Sequence, residues 1–146
     1  MSRAKRKALS AAEVQAVIRS GLPEAEVRGL CVEAITPRGA IVRHPYSADS
    51  LRPGGTLSGP TMMALADAAM YAALLAHYDE TLMAVTSQMT IHFLRRPPQG
   101  DLVGEAELLR VGGRSAVIEV RIHSPASEEL VAVASGIYAL PTPRAD

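Results

Sequence analysis

The stretch Pro60–His77, PTMMALADAAMYAALLAH, decides how this chain folds. It is filled with good helix formers and has almost no polar face. Pro60 suits a first helical turn, and either Gly59 or Ser58 can cap it. A helix that is apolar all round has to be buried, so the rest of the chain must wrap it.

The wrapping lies mostly downstream. Residues 83–94, 102–111, 115–124 and 129–139 read as four strands. In the first, Val85, Ser87, Met89, Ile91 and Phe93 alternate with Ala84, Thr86, Gln88, Thr90 and His92. In the third, Ile118, Val120 and Ile122 alternate with Glu119, Arg121 and His123, while Val117 blurs the start. The joins carry Pro97–Pro98–Gln99–Gly100, Gly112–Gly113 and Ser124–Pro125, so consecutive strands are expected to be antiparallel neighbours. Upstream, 27–35 and 39–44 read as two more strands around a Thr36–Gly39 turn. Residues 11–19 form a short helix that stops at Gly21–Leu22–Pro23, with Ser10 and Glu13 as a capping box. One long helix among strands predicts an α+β fold: a curled antiparallel sheet around a central helix.

Composition bounds what such a domain can do. The chain has 146 residues, of which 48% are apolar and 21% charged, enough for a single packed core. Its 15 basic and 15 acidic residues balance. Arg3, Lys5, Arg6 and Lys7 crowd the start, so residues 1–10 are expected to be a loose basic tail on a domain spanning 11–146. Without those four cations the body is 11 against 15, net −4. No nucleic-acid or membrane-surface partner is expected on that charge. The low-charge run Pro53–Ala76 contains Gly, Pro and Asp67, which argues against a membrane span. No apolar segment follows the opening MSRAKRKALS, so a cytoplasmic location is expected. Cys31, the one cysteine, reads as a buried thiol rather than a nucleophile. The four histidines are scattered, so neither a metal site nor a cofactor is expected.

Asp67 is the residue that does not fit its surroundings. Between Arg52 and Asp79 it is the only Asp, Glu, Lys or Arg. A carboxylate buried in an apolar helix needs a partner or a pocket. Two readings stay open: an Asp tied to a backbone donor or an arginine, or a catalytic carboxylate facing a cleft. Met63, Ala64, Met70 and Tyr71 lie one turn either side and suit an apolar cleft or simply the core. Ahead of the helix, the glycines around Ser58–Gly59–Pro60 allow close approach of a ligand. Pro60 has no N–H, so Gly59 is the better donor to a developing oxyanion, unless it serves only to turn the chain. Ser58 lacks the G-x-S-x-G setting of a hydrolase nucleophile.

These motifs together resemble the hotdog-fold acyl-CoA thioesterases, in particular the PaaI-like, phenylacetate-degradation branch. The resemblance spans about residues 30–140. It rests on SGPTMMALADAA (58–69), VTSQMTIHFLRRPPQGD (85–101), GGRSAVIEV (112–120) and VAVASGIY (131–138). It implies that Asp67 is the catalytic carboxylate, attacking the thioester or activating water. It implies Gly59 as oxyanion donor, with Ser58 and Pro60 in place of the family's His and second Gly. The family's upstream Asn matches Arg52, and its small hydroxyl residue on the next strand matches Thr86. Met62, Met63, Met70, Tyr71 and Leu74 are candidates for the acyl cleft, with burial in the core the alternative for each. The resemblance implies CoA phosphates near basic side chains, for which Arg95, Arg96 and Arg114 are the candidates. It also implies a homodimer or a dimer of dimers, with sites built from both chains. A non-catalytic acyl-CoA-binding protein of the same fold is the alternative, and a hydratase or dehydratase a lesser one.

Overall fold

The computed structural model describes residues 3–51, 54–55 and 57–142. Among them are three α-helices, α1 (Ala11–Gly21), α2 (Pro23–Arg28) and α3 (Gly59–His77). Six strands accompany them: β1 (Cys31–Thr36), β2 (Gly39–His44), β3 (Val85–Phe93), β4 (Leu102–Val111), β5 (Ser115–His123) and β6 (Leu130–Ala139). They form one antiparallel sheet in the order β1-β2-β4-β5-β6-β3, curled around α3. This is the hotdog arrangement.

The α3 sequence behaves as its composition requires. Leu65, Met70 and Leu74 are completely enclosed, and Met62 nearly so. The helix is long and apolar enough to cross a membrane, but 67% of its apolar stretch is buried inside the fold, which makes it a core helix. It is covered by inward positions of the central strands: Val42 on β2, Ala106 on β4, Ile118, Val120 and Ile122 on β5, Ala132 and Ala134 on β6. Gly136 is required by this packing, because a Cβ there would sit 2.6 Å from the Met70 sulfur. The Ser10–Glu13 capping box forms at the start of α1, with both bonds at 3.1 Å.

Three expectations are corrected. The strand expected from residue 27 starts at Cys31, because Pro23 opens the short helix α2 and left-handed Gly29 closes it at φ 70°. Six residues are too few to show a periodicity, and the signals were the proline at the start and the glycine at the end. β3 and β4 are consecutive but not neighbours: among the described residues β3 pairs only with β6, at the far edge of the sheet. Residues 3–9, expected to be loose, are docked against the C-terminal end of α3. Arg6 N–H donates to His77 C=O at 2.9 Å and Leu9 N–H to Ala76 C=O at 3.0 Å. The Arg3 guanidinium is buried, donating to the backbone carbonyls of Asp79, Glu80, Gly113 and Pro141.

Candidate active site

Asp67 lies half-buried, two turns into α3, facing β3 and β6. The partners of its carboxylate are hydroxyls, not cations, among the described residues. Thr86 Oγ1 donates to Asp67 Oδ1 at 2.5 Å, and the Tyr138 hydroxyl donates to the same oxygen at 2.5 Å. The Tyr138 hydroxyl also lies 3.0 Å from the backbone carbonyl of Asp67. The Tyr138 ring stacks on Tyr71 with centroids 6.4 Å apart and planes 16° apart, and the Tyr71 hydroxyl donates to Leu82 C=O. Burial, then the adjacent Asp67 charge, pushes the Tyr138 phenol far above its ordinary value. Burial alone raises Tyr71.

Thr86 reaches Asp67 through a β-bulge. On β6 the inward residues are Ala132, Ala134, Gly136 and Tyr138, and they pair with Phe93, Ile91, Met89 and Thr86. Regular alternation from Met89 would have turned Ser87 inward and Thr86 outward. The register instead shifts between Thr86 and Gln88, leaving Ser87 as the extra residue, its hydroxyl donating to Ile137 C=O at 3.0 Å. One inserted residue thus turns Thr86 from the polar side of the strand onto α3.

Asp67, Thr86, Tyr71 and Tyr138 border a cleft of about 690 Å³. Val17 and Leu22 of α1 and the adjoining turn roof it, together with Ala25 and Arg28 of α2, while Leu82 and Met83 form another wall. The lining is mainly hydrocarbon around one carboxylate. No cluster of three or more His, Cys, Asp or Glu side chains suited to a metal occurs among the described residues.

Other expected site residues lie elsewhere. Gly59 is the first residue of α3, eight positions before Asp67, hence about 12 Å away along the axis. An oxyanion donor works at about 2.7–3.1 Å, so one chain's Gly59 and Asp67 do not converge on one carbonyl. Gly59 packs under Phe93, whose ring edge would be 3.3 Å from a Cβ at this position. Ser58 caps α3, its hydroxyl accepting from Thr61 N–H at 3.2 Å and contacting Thr61 Oγ1 at 2.8 Å. Met70, expected near the cleft, is sealed in the core against Gly136, as are Met62 and Leu74 in their own surroundings. Met63, one turn before Asp67, is exposed and is not among the residues lining the cleft. Arg52 lies outside the described residues.

The arginines expected at phosphate separate into two groups. Arg95 donates to Leu130 C=O at 2.9 Å and pairs with Glu129 at 3.1 Å, with exposed Arg96 beside it. Exposed Arg114 sits by Leu140, whose N–H donates to its carbonyl at 2.9 Å. These are opposite ends of β6, about 30 Å apart at roughly 3.3 Å per residue. Arg114 shares its end with Thr86 and Asp67, while Arg95 and Arg96 share theirs with Phe93 and Gly59.

Sequence reasoning missed Tyr138. A signal was present: an inward tyrosine on a core strand must find an acceptor for its hydroxyl, and Asp67 was the unpaired polar group already in view.

Comparison with known proteins agrees with this architecture. Residues 54–131, more than half of the chain and including Gly59, Asp67 and Thr86, match the Thioesterase superfamily. The chain belongs to that superfamily. A thioesterase candidate of solved structure from a Silicibacter species is 32% identical with a TM-score of 0.84, covering 93% of this chain and 94% of that one. A mutant of the phenylacetic acid degradation protein PaaI from Thermus thermophilus is 27% identical with a TM-score of 0.71, covering 82% and 99%. The E. coli PaaI protein from the phenylacetic acid degradation operon shares the fold at 22% identity and a TM-score of 0.76, covering 90% and 93%. No curated protein matches the sequence. Within the thioesterase superfamily the chain is PaaI-like, and thioester hydrolysis is the reaction class its membership supports.

Proposed function

We propose that this thioesterase-superfamily protein hydrolyses an acyl-CoA to a carboxylic acid and free CoA, with Asp67 as its reacting carboxylate. The observation that carries this reading is a carboxylate fixed by two hydroxyls at the edge of an apolar cleft of about 690 Å³. An apolar cleft accepts an acyl group, and a carboxylate beside it can take a proton from water attacking the thioester carbonyl. The carbonyl oxygen then carries negative charge until the C–S bond breaks, and the departing CoA thiolate regains the proton. In the other route Asp67 attacks the carbonyl directly, the C–S bond breaks to give an anhydride and CoA thiolate, and water then hydrolyses the anhydride to release the acid and restore Asp67.

The missing oxyanion donor comes from a second copy in this proposal. The N–H of the first helical residue lies outside the intrahelical ladder, which suits Gly59 to the task. β3 is an edge strand with exposed Val85 and Phe93. Two β3 edges paired antiparallel about a two-fold axis would set the start of one against the end of the other. Asp67, Thr86 and Arg114 of one copy would then face Gly59, Arg95 and Arg96 of its partner. That arrangement makes a homodimer the catalytic unit and brings the separated arginines to one CoA. A cytoplasmic location, where acyl-CoA is made and used, belongs to the same proposal.

The test is thiol release from acetyl-, phenylacetyl-, benzoyl-, hexanoyl- and palmitoyl-CoA, with wild type and Asp67→Asn side by side. Turnover is expected to fall by roughly two or more decades in the variant with its fold and oligomeric state intact. Undiminished turnover would remove Asp67 from the mechanism. Saturable CoA binding without turnover by wild type would identify a binding protein instead.

A further inference from the structure

We infer that Tyr138 is a positioning residue of this site: with Thr86 it holds Asp67 by Oδ1, so that Oδ2 is the oxygen presented to the reacting group. The inference rests on the reading of Asp67 as the reacting carboxylate.

Three observations carry it. Both hydroxyls converge on one oxygen at 2.5 Å, and no hydrogen bond from the described residues reaches Oδ2. A carboxylate on a helix turns about two torsions; donors from two strands fix both, and β6 and β3 each contribute one. Tyr138 is itself held, 2% exposed, by its stack on Tyr71 and by its pairing with Thr86 across the ladder. A core position needs only a ring. The hydroxyl adds a buried polar group, which costs stability unless it is used, and here it is spent on the one carboxylate in the cleft. Because the phenol is displaced far upward, it stays a donor across the working pH range.

Among the described residues, the other titratable groups lining the cleft are Tyr71 on α3 and Arg28 on α2. Neither is a carboxylate or an imidazole. Donors to the charged form of a carboxylate favour that form, so removing the Tyr138 hydroxyl is expected to move the acid limb of the rate profile to higher pH.

The experiment compares wild type, Tyr138→Phe and Asp67→Asn in the full chain, on the best acyl-CoA of the panel, from pH 4 to 9. Tyr138→Phe keeps the ring and the stack. It is expected to lower kcat by about ten-fold or more with little change in KM, and to move the acid limb upward. Placing 3-fluorotyrosine at 138, a stronger donor of nearly the same shape, is expected to restore kcat and move the limb below that of wild type. An unmoved limb in Tyr138→Phe, with Asp67→Asn inactive, overturns the positioning role and leaves the proposed function standing. Full turnover by Asp67→Asn overturns both. Should Tyr138→Phe fold poorly, the fluorotyrosine protein decides: a limb identical to that of wild type counts against the inference.

Discussion

β5 and β3 are both nine residues long and both alternate in sequence, yet they end in opposite circumstances. On β5 the inward residues Ala116, Ile118, Val120 and Ile122 are fully enclosed. On β3 the inward Phe93 is 50% exposed, and Val85, which the bulge leaves on the outer side, is 61% exposed. The difference lies in neighbours, since β5 is flanked by β4 and β6 while β3 has only β6. Alternation shows that a strand is able to bury one face; whether it does so depends on what else arrives there. The packed strand supports the fold, and the unfinished one carries a bulge, a hydroxyl for Asp67 and the proposed junction with a second copy.

The contrast can be broken most forcefully on the packed side. Ile118→Ala is expected to cost about 2–5 kcal/mol in denaturant unfolding. Val85→Ala is expected to stay within about 0.5 kcal/mol as long as β3 remains uncovered. A Val85→Ala cost that appears only at concentrations where the protein self-associates would show that the open strand is finished by a partner. Thr86→Val addresses the hydroxyl that the bulge turns toward α3. The lost charge-assisted hydrogen bond, about 1.5–3 kcal/mol, should lower kcat by about ten- to a hundred-fold. Turnover unchanged by the substitution would detach the bulge from function.

The smallest effect sits in the packed half, at His44. This side chain is buried at the end of β2, and burial, with nearby Arg28, holds its imidazole below the ordinary 6.5. Backbone hydrogen bonds at Pro45 and His44 and the Asp101 charge oppose that shift only in part. As pH falls below 6.5 the unfolded chain therefore binds the proton first, and stability declines on acidification. His44→Gln should flatten that decline in thermal melts between about pH 7 and 5.

Much of the fold was legible because it rests on long, repetitive signals: an apolar helix with a single charge, and strands alternating over six or more residues. Asp67 stood out for the same reason, as one carboxylate in a run without other charges. Thr86 was matched by resemblance but assigned to the polar side of its strand, because a bulge adds a residue without marking the sequence. Tyr138 entered only as the last residue of VAVASGIY, since period-two counting ignores the hydroxyl. Met70 was placed at the cleft by helical spacing, which cannot distinguish the face toward the cavity from the face toward Gly136. The separation of Gly59 from Asp67 was open to arithmetic at about 1.5 Å per residue.

The docked arm sets an order of events during synthesis. Arg3 leaves the ribosome long before Asp79, Gly113 and Pro141, whose carbonyls it finally binds. A nascent chain therefore carries an unmatched guanidinium until almost all of the sheet has been translated. Closure of the arm is a late step, reserved for chains translated past Pro141.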